Sequence, residues 1–217
     1  MKLQKLRVAR KPHPLTRPGS FFTVEGYRLV NDYGGGKRSK SYNCESVHRR
    51  GTDGVAILIY RRGRRGQTEI LLKECIRPPI LLRAPRVRKN RPNPPLLLEI
   101  VAGSREPGDQ TQTDLKKRAA AEILEEAGIR VKPALVMPMG LPVFTSPGGL
   151  SEEVHIFQCD VTGLPQSGAQ MHGAHPLELH APLHWIPLET GLQWLRSGKV
   201  TDAKTEIAIR RFVEWAR

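Results

Sequence analysis

L-E-I-V-A-G-S-R-E-P-G-D-Q-T-Q-T-D-L-K-K-R-A-A-A-E-I-L-E-E-A-G-I, residues 98–129, carries a strand signal, a polar loop and the strongest helix signal of the chain. Residues 96–101 read as a strand that runs into Gly103. Residues 114–127 read as a helix, with Thr113 or Asp114 as its cap, Ala and Leu filling it and Gly128 stopping it. Within that helix Glu122, Glu125 and Glu126 stand at i, i+3 and i+4, on one face. Like charges stacked this way cost an isolated helix about 0.2–0.5 kcal/mol per pair. A divalent cation would turn that cost into a gain, since Mg²⁺ is held by one or two carboxylates together with phosphate oxygens and water. A solvated acidic face is the alternative reading of the same three residues.

Upstream, residues 55–60 and 69–73 are β-rich runs joined by the Arg/Gly segment 61–66, a hairpin. Residues 21–30 and 41–47 read as two shorter strands, too small to bury a core without packing on something else. Residues 80–95 form a Pro/Arg-rich loop of the length that is usually functional or mobile. Downstream, 131–137, 154–160 and 183–187 read as strands. Residues 189–196 and 205–216 read as closing helices, the second with Ile209, Phe212, Val213 and Ala216 at spacings of three and four. Strands and helices mix without strict alternation, so a mixed sheet flanked by helices fits better than a doubly wound one.

The 217 residues suffice for one domain with an extension or two small ones. No apolar run approaches the ~20 residues of a membrane helix, so no membrane partner is expected. Cys44, Cys75 and Cys159 are odd in number and lack any C-x-x-C pairing, which gives neither a disulfide framework nor a zinc site and points to a reducing, cytoplasmic setting. The net charge of +14 is uneven. Residues 1–50 hold 12 basic and 3 acidic side chains, 51–100 hold 11 and 4, and 101–217 hold 12 and 14. Such a basic half attracts polyanions, nucleotides and nucleic acid among them. The first acid is Glu25, so the leading segment is basic and Pro-containing, and residues 1–20 are expected to be flexible; its composition superficially suits a targeting segment. The histidines form no ligand set: His155 lies in a core strand, and His172, His175, His180 and His184 crowd a loop.

Several patches together resemble the Nudix hydrolases, in their ADP-ribose and nucleotide-sugar pyrophosphatase branch. Residues 98–103, L-E-I-V-A-G, look like the strand that opens the Nudix box, and residues 122–129, E-I-L-E-E-A-G-I, like its end. F-T-S-P-G-G-L-S-E-E, residues 144–153, resembles the branch's S-P-G loop, though as bare sequence it is a turn. E-C-I-R-P-P, residues 74–79, resembles its Q-Y-R-P-P, and residues 196–205 its closing helix pair. Two departures are plain. The box is longer than usual, with Asp109 the nearest acid to an expected glutamate, and Ala121 stands where an Arg normally orients the glutamates. Arg118, one turn earlier, is the available replacement as an intrahelical partner of Glu122.

The resemblance implies a Nudix-type α/β/α sandwich over residues 51–217, with strands 21–50 as a β extension for dimerisation and substrate contact. It implies Mg²⁺, with Mn²⁺ as an alternative, held by Glu122, Glu126 and the Ala102 carbonyl, with Glu125 a ligand to a further metal, and hydrolysis of ADP-ribose to AMP and ribose 5-phosphate. Arg77 would hold the anionic substrate, or else make a structural ion pair with a nearby Glu. Tyr27, Ser146 and Gly148 would contact substrate, with hairpin packing the alternative for Tyr27. The general base would be Glu178 in the loop before residues 183–187, with Glu153 as its competitor. The rival readings are another nucleotide sugar as substrate, or a nucleotide- or RNA-binding module with impaired catalysis.

Overall fold

The computed structural model describes residues 4–14, 16, 22–49, 53–82, 96–167 and 181–215. They divide into two compact units, Met1–Thr52 with Phe144–Glu153, and Asp53–Val143 with Val154–Arg217.

In the first unit β1 (Lys5–Pro14), β2 (Phe22–Asp32) and β3 (Tyr42–Arg49) form an antiparallel sheet in that order. The two expected short strands are β2 and β3. Between them Gly34, Gly35 and Gly36 all take positive φ, 82°, 57° and 78°, which only glycine adopts without steric cost. Within residues 1–20, expected to be flexible, Lys5–Pro14 instead pairs with β2, and Arg7 Nε donates to Asp32 Oδ2 at 2.6 Å. An edge strand with a solvent face tolerates many charges, so its composition resembles that of a tail. Phe144–Glu153, expected with the later domain, belongs to this unit: the Val47 N–H donates to the Gly149 carbonyl at 2.8 Å, and Val47 and Leu150 form a parallel bridge.

The second unit contains β4 (Gly54–Arg62), β5 (Thr68–Ile76), α1 (Pro78–Leu81), β6 (Leu96–Glu99), β7 (Val101–Ser104), α2 (Gln112–Ala127), β8 (Val136–Pro138), β9 (Val143–Phe144), β10 (Glu153–Asp160), β11 (Leu183–Pro187), α3 (Leu188–Arg196) and α4 (Ala203–Trp215). The strands run β11-β5-β4-β10-β8, with β6 on β5, β7 on β4 and β9 on β10. β10 is parallel to β4, while β11–β5, β5–β6, β4–β5, β4–β7 and β10–β8 are antiparallel. This is the expected mixed sheet. β4 is buried on both faces, hence its unbroken apolar run. Val55, Ile57 and Ile59 pack with Leu115, Ala119, Ile123 and Ala127 of α2, whereas Ala56 and Leu58 pack with Ala208, Ile209 and Phe212 of α4. Helices thus cover both faces, and burying Ile123 alone is worth about 1.5–3 kcal/mol.

Three local expectations are corrected. The cap of α2 is Thr111, whose Oγ1 accepts the Asp114 N–H at 3.2 Å while Asp114 Oδ2 accepts the Thr111 N–H at 3.1 Å, so Asp114 completes a capping box instead of opening the helix. The strand expected at 131–137 is shortened to β8, Val136–Pro138, because Pro133–Leu135 form a 3-10 turn in which proline fixes φ and lacks a ladder donor. The single strand expected at 96–101 is two. The chain leaves β5 at Ile100, whose N–H donates to Thr205 Oγ1 at 3.0 Å, and then joins β4 as β7. Among the described residues no helix is long and apolar enough to cross a membrane.

Candidate active site

The crossing from β6 to β7 sets Ala102 and Gly103 beside the acidic face of α2. Ala102 donates its N–H to Glu126 Oε2 at 3.2 Å. In an extended strand the carbonyl leaves a residue on the same side as its N–H, so the Ala102 carbonyl also faces the helix. The other oxygen of Glu126 accepts from Lys73 Nζ at 2.5 Å, and the two side chains are only 2% and 9% exposed. Lys73 interrupts the apolar centre of β5, and a lysine there is tolerated only when paired. The sequence reading missed it; a charge directly after Ile70, Leu71 and Leu72 was the available signal.

Glu122 lies flat against the Gly103 backbone. A Cβ on Gly103 would stand 1.9 Å from Glu122 Oε1, so the carboxylate occupies the room that the absent side chain leaves. Burial, then the charges of Glu126 and Glu125, push the Glu122 carboxyl up to about 7, and Arg118 and Lys73 only partly offset them. Arg118 does not pair with Glu122 as expected: its Nε donates to Asp109 Oδ2 at 3.1 Å. Asp109 is held in the loop before α2 by the Glu106 N–H at 2.9 Å, and its carbonyl accepts from Arg105 Nε at 2.5 Å. Arg105 in turn pairs with Asp53 at 2.8 Å, so the longer loop is tied to the start of β4.

The donor set suits a hard divalent cation: carboxylate oxygens, a carbonyl facing them, and a buried acid whose surroundings undercompensate its charge. Among the described residues, however, no three His, Cys, Asp or Glu side chains form a ready cluster. Lys73 instead stands against Glu126.

Arg77, at the start of α1, grips Glu99 in a fork, Nε to Oε1 at 2.9 Å and Nη2 to Oε2 at 2.7 Å. Lys204 Nζ reaches Glu99 Oε2 at 2.6 Å and Asp202 Oδ1 at 2.8 Å. Burial alone would raise the Glu99 pKa, but the Arg77 fork and the Lys204 charge overcome it and hold the group well below the carboxylate range. The structural ion pair foreseen as the alternative for Arg77 is therefore present.

In the first unit Ser146 and Gly148 are exposed in a tight turn, where the Ser146 carbonyl accepts the Gly149 and Leu150 N–H groups at 3.1 and 2.9 Å. Tyr27 donates its hydroxyl to Glu25 Oε2 at 2.5 Å, and His48 Nδ1 lies 3.0 Å from Ser151 Oγ. Glu153 opens β10 half-buried. Glu178 and the rest of 168–180, with residues 83–95 of the Pro/Arg-rich loop, lie outside the described residues.

No family model matches the chain. Among curated proteins it is similar to the ADP-ribose pyrophosphatase of Escherichia coli (strain K12), 35% identical over 116 residues, which are 54% of this chain and 51% of that protein. It is also similar to the ADP-ribose pyrophosphatase of Haemophilus influenzae, 33% identical over 116 residues, 54% of this chain and 49% of that one. The chain spans about half the length of these curated relatives. A solved structure titled as an ADP compounds hydrolase has the same fold, with a TM-score of 0.64 at 19% identity, over 99% of this chain and 96% of that one.

Proposed function

We infer that the chain is a Nudix-type pyrophosphohydrolase that cleaves ADP-ribose to AMP and ribose 5-phosphate. The carrying observation is the Glu122 carboxylate seated on Gly103, beside Glu126 on the Ala102 amide. The names of the similar proteins support the same substrate class. Glu122, Glu125, Glu126 and the Ala102 carbonyl would hold Mg²⁺, or Mn²⁺ in its place, which when bound neutralises the diphosphate and acidifies bound water. Water oxygen bonds to one phosphorus as the bridging P–O bond breaks, and the water proton passes to a carboxylate, Glu178 or Glu153. The protein's own work is positioning and charge compensation, which dominate phosphoryl transfer. Glu126 is locked between Lys73 and the Ala102 amide, and α2 is locked at its start by the Thr111 cap.

The test is turnover of ADP-ribose against UDP-glucose and other nucleotide sugars with Mg²⁺, products resolved chromatographically. AMP and ribose 5-phosphate, lost on chelation, are expected. Preference for another nucleotide sugar replaces the substrate, and no turnover of any sugar nucleotide rejects the reading. We infer further that residues 21–50 mediate a homodimer in the cytoplasm, and a concentration-independent monomer in light scattering would refute the dimer.

A further inference from the structure

The first unit brings a hydroxyl, an imidazole and a carboxylate into one row. β2 and β3 pair with Thr23 opposite His48 and Glu25 opposite Ser46, so Glu25 and His48 are diagonal neighbours on one face of that sheet. His48 Nε2 lies 3.6 Å from Glu25 Oε2, and the same oxygen accepts the Tyr27 hydroxyl at 2.5 Å, which fixes the carboxylate. The 3.6 Å gap is a charge contact, since Nε2 is buried and makes no hydrogen bond. On the other side of the ring, Nδ1 lies 3.0 Å from Ser151 Oγ, across 103 residues of chain. The Val47–Leu150 bridge and the bond from the Val47 N–H to the Gly149 carbonyl hold Ser151 there. A negative carboxylate at Nε2 favours the imidazole proton on that nitrogen, which leaves the Nδ1 lone pair for the Ser151 hydroxyl. A hydroxyl, a base within hydrogen-bond reach and a third group orienting the base are the parts of an activated nucleophile, recognised by role and not by chain order. The row is open to small molecules: the His48 and Glu25 side chains are 32% and 33% exposed, and a Cβ on Gly148 or Gly149 would meet nothing within 4 Å.

We propose that Ser151, His48 and Glu25 form a second reactive site, an acyl-transfer nucleophile for activated esters. Ser151 Oγ bonds to the ester carbonyl carbon as the bond from that carbon to the leaving oxygen breaks, and the hydroxyl proton passes through His48 Nδ1 to the departing oxygen. Water then bonds to the same carbon as the C–Oγ bond breaks, releasing the acid, and a water proton returns through His48 to Ser151. The Gly149 and Leu150 N–H groups are spent on the Ser146 carbonyl, at 3.1 and 2.9 Å, so they do not serve the developing oxyanion. That restricts the site to esters with a good leaving group, aryl esters above all. Glu25 is a positioning residue, acting on the hydroxyl through His48. The inference depends neither on the diphosphate reaction nor on a metal.

The experiment is hydrolysis of p-nitrophenyl acetate by the full chain in chelator, with peptide mass spectrometry of the acylated protein, for the wild type, Ser151→Ala, His48→Gln and Glu25→Gln. The wild type is expected to release p-nitrophenolate and to carry an acetyl group on Ser151. Ser151→Ala is expected to lose that label, and His48→Gln to lower kcat about 10²-fold. Glu25→Gln is expected to lower kcat about threefold at unchanged KM, the size of a partly exposed charge contact. Acetylation of the wild type confined to lysines or to the exposed Cys44 overturns the proposal. So does phenolate release that is unchanged in folded Ser151→Ala or His48→Gln. An unaltered kcat in Glu25→Gln overturns the role of Glu25. Should a variant not fold, the position of the acetyl group on the wild-type chain still decides.

Discussion

Glu99 on β6 and Glu122 on α2 are both withdrawn from water, and burial pushes both toward the neutral acid, yet they end on opposite sides of the ordinary carboxylate range. The difference is company. Glu99 receives a forked guanidinium and an ammonium, while Glu122 faces two like charges, with only the partial offset of Arg118 and Lys73. One cluster is closed and serves the fold. The other is left short of positive charge, which keeps its acid raised.

The sharpest way to break this contrast is to open the closed cluster. Arg77→Met leaves Glu99 without its fork, and removing one partner of a buried pair typically costs about 3–5 kcal/mol, read as a fall in the urea midpoint. Unchanged stability with a raised KM would return Arg77 to the substrate. Next in size, Glu122→Gln removes a charge that its surroundings oppose, so it should lower kcat by about 10²–10³-fold while leaving stability equal or higher. Gly103→Ala tests the seat of that carboxylate. The atoms nearest the new Cβ are the end of a flexible side chain, so the Tm should stay near wild type, while the misplaced Glu122 costs about 10²-fold in turnover.

The two clusters also predict opposite pH signatures in the metal-free chain, measured in chelator. The depressed Glu99 contributes stability that is complete above its ordinary value of 4.5 and is lost as pH falls through its lower folded value. The raised Glu122 contributes most below 4.5, and that contribution disappears as pH rises through about 7. Glu122→Gln should erase the second limb and leave the first. The smallest expected effect is Thr111→Ala, which loosens the start of α2 for about 1 kcal/mol.

What was legible in the sequence followed from periodicity and from chain-local chemistry. The buried run of β4, the helix ended by Gly128, and three glutamates on one face are properties of neighbours along the chain. The pairing of Arg77 with Glu99 was visible only as an alternative, because its partner lies 22 residues away on another strand. The departures have one cause. Lys73 meets Glu126 across 53 residues, strand to helix, and Arg118 turns to the loop acid Asp109 before its own helix, so each charge has a partner that helical spacing did not show. β1 escaped notice for the opposite reason: an edge strand is specified by its hydrogen bonds to a neighbour, and a charged composition is compatible with both a strand and a tail.

The parallel pairing of β10 with β4 has a consequence in time. Gly54 lies opposite Val154 and Tyr60 opposite Asp160, a constant offset of 100 residues. Closing about a hundred residues costs roughly 2 kcal/mol more in chain entropy than closing about ten. β7, by contrast, reaches β4 at Ala56 from Ala102. The seat of the carboxylates can thus dock on β4 long before the opposite edge of that strand is covered. On a ribosome adding ~5–20 residues per second, the apolar edge of β4 waits roughly 5–20 seconds for its partner. During that interval the nascent chain exposes its stickiest strand, and yield in a cell is set by what shields that edge until β10 arrives.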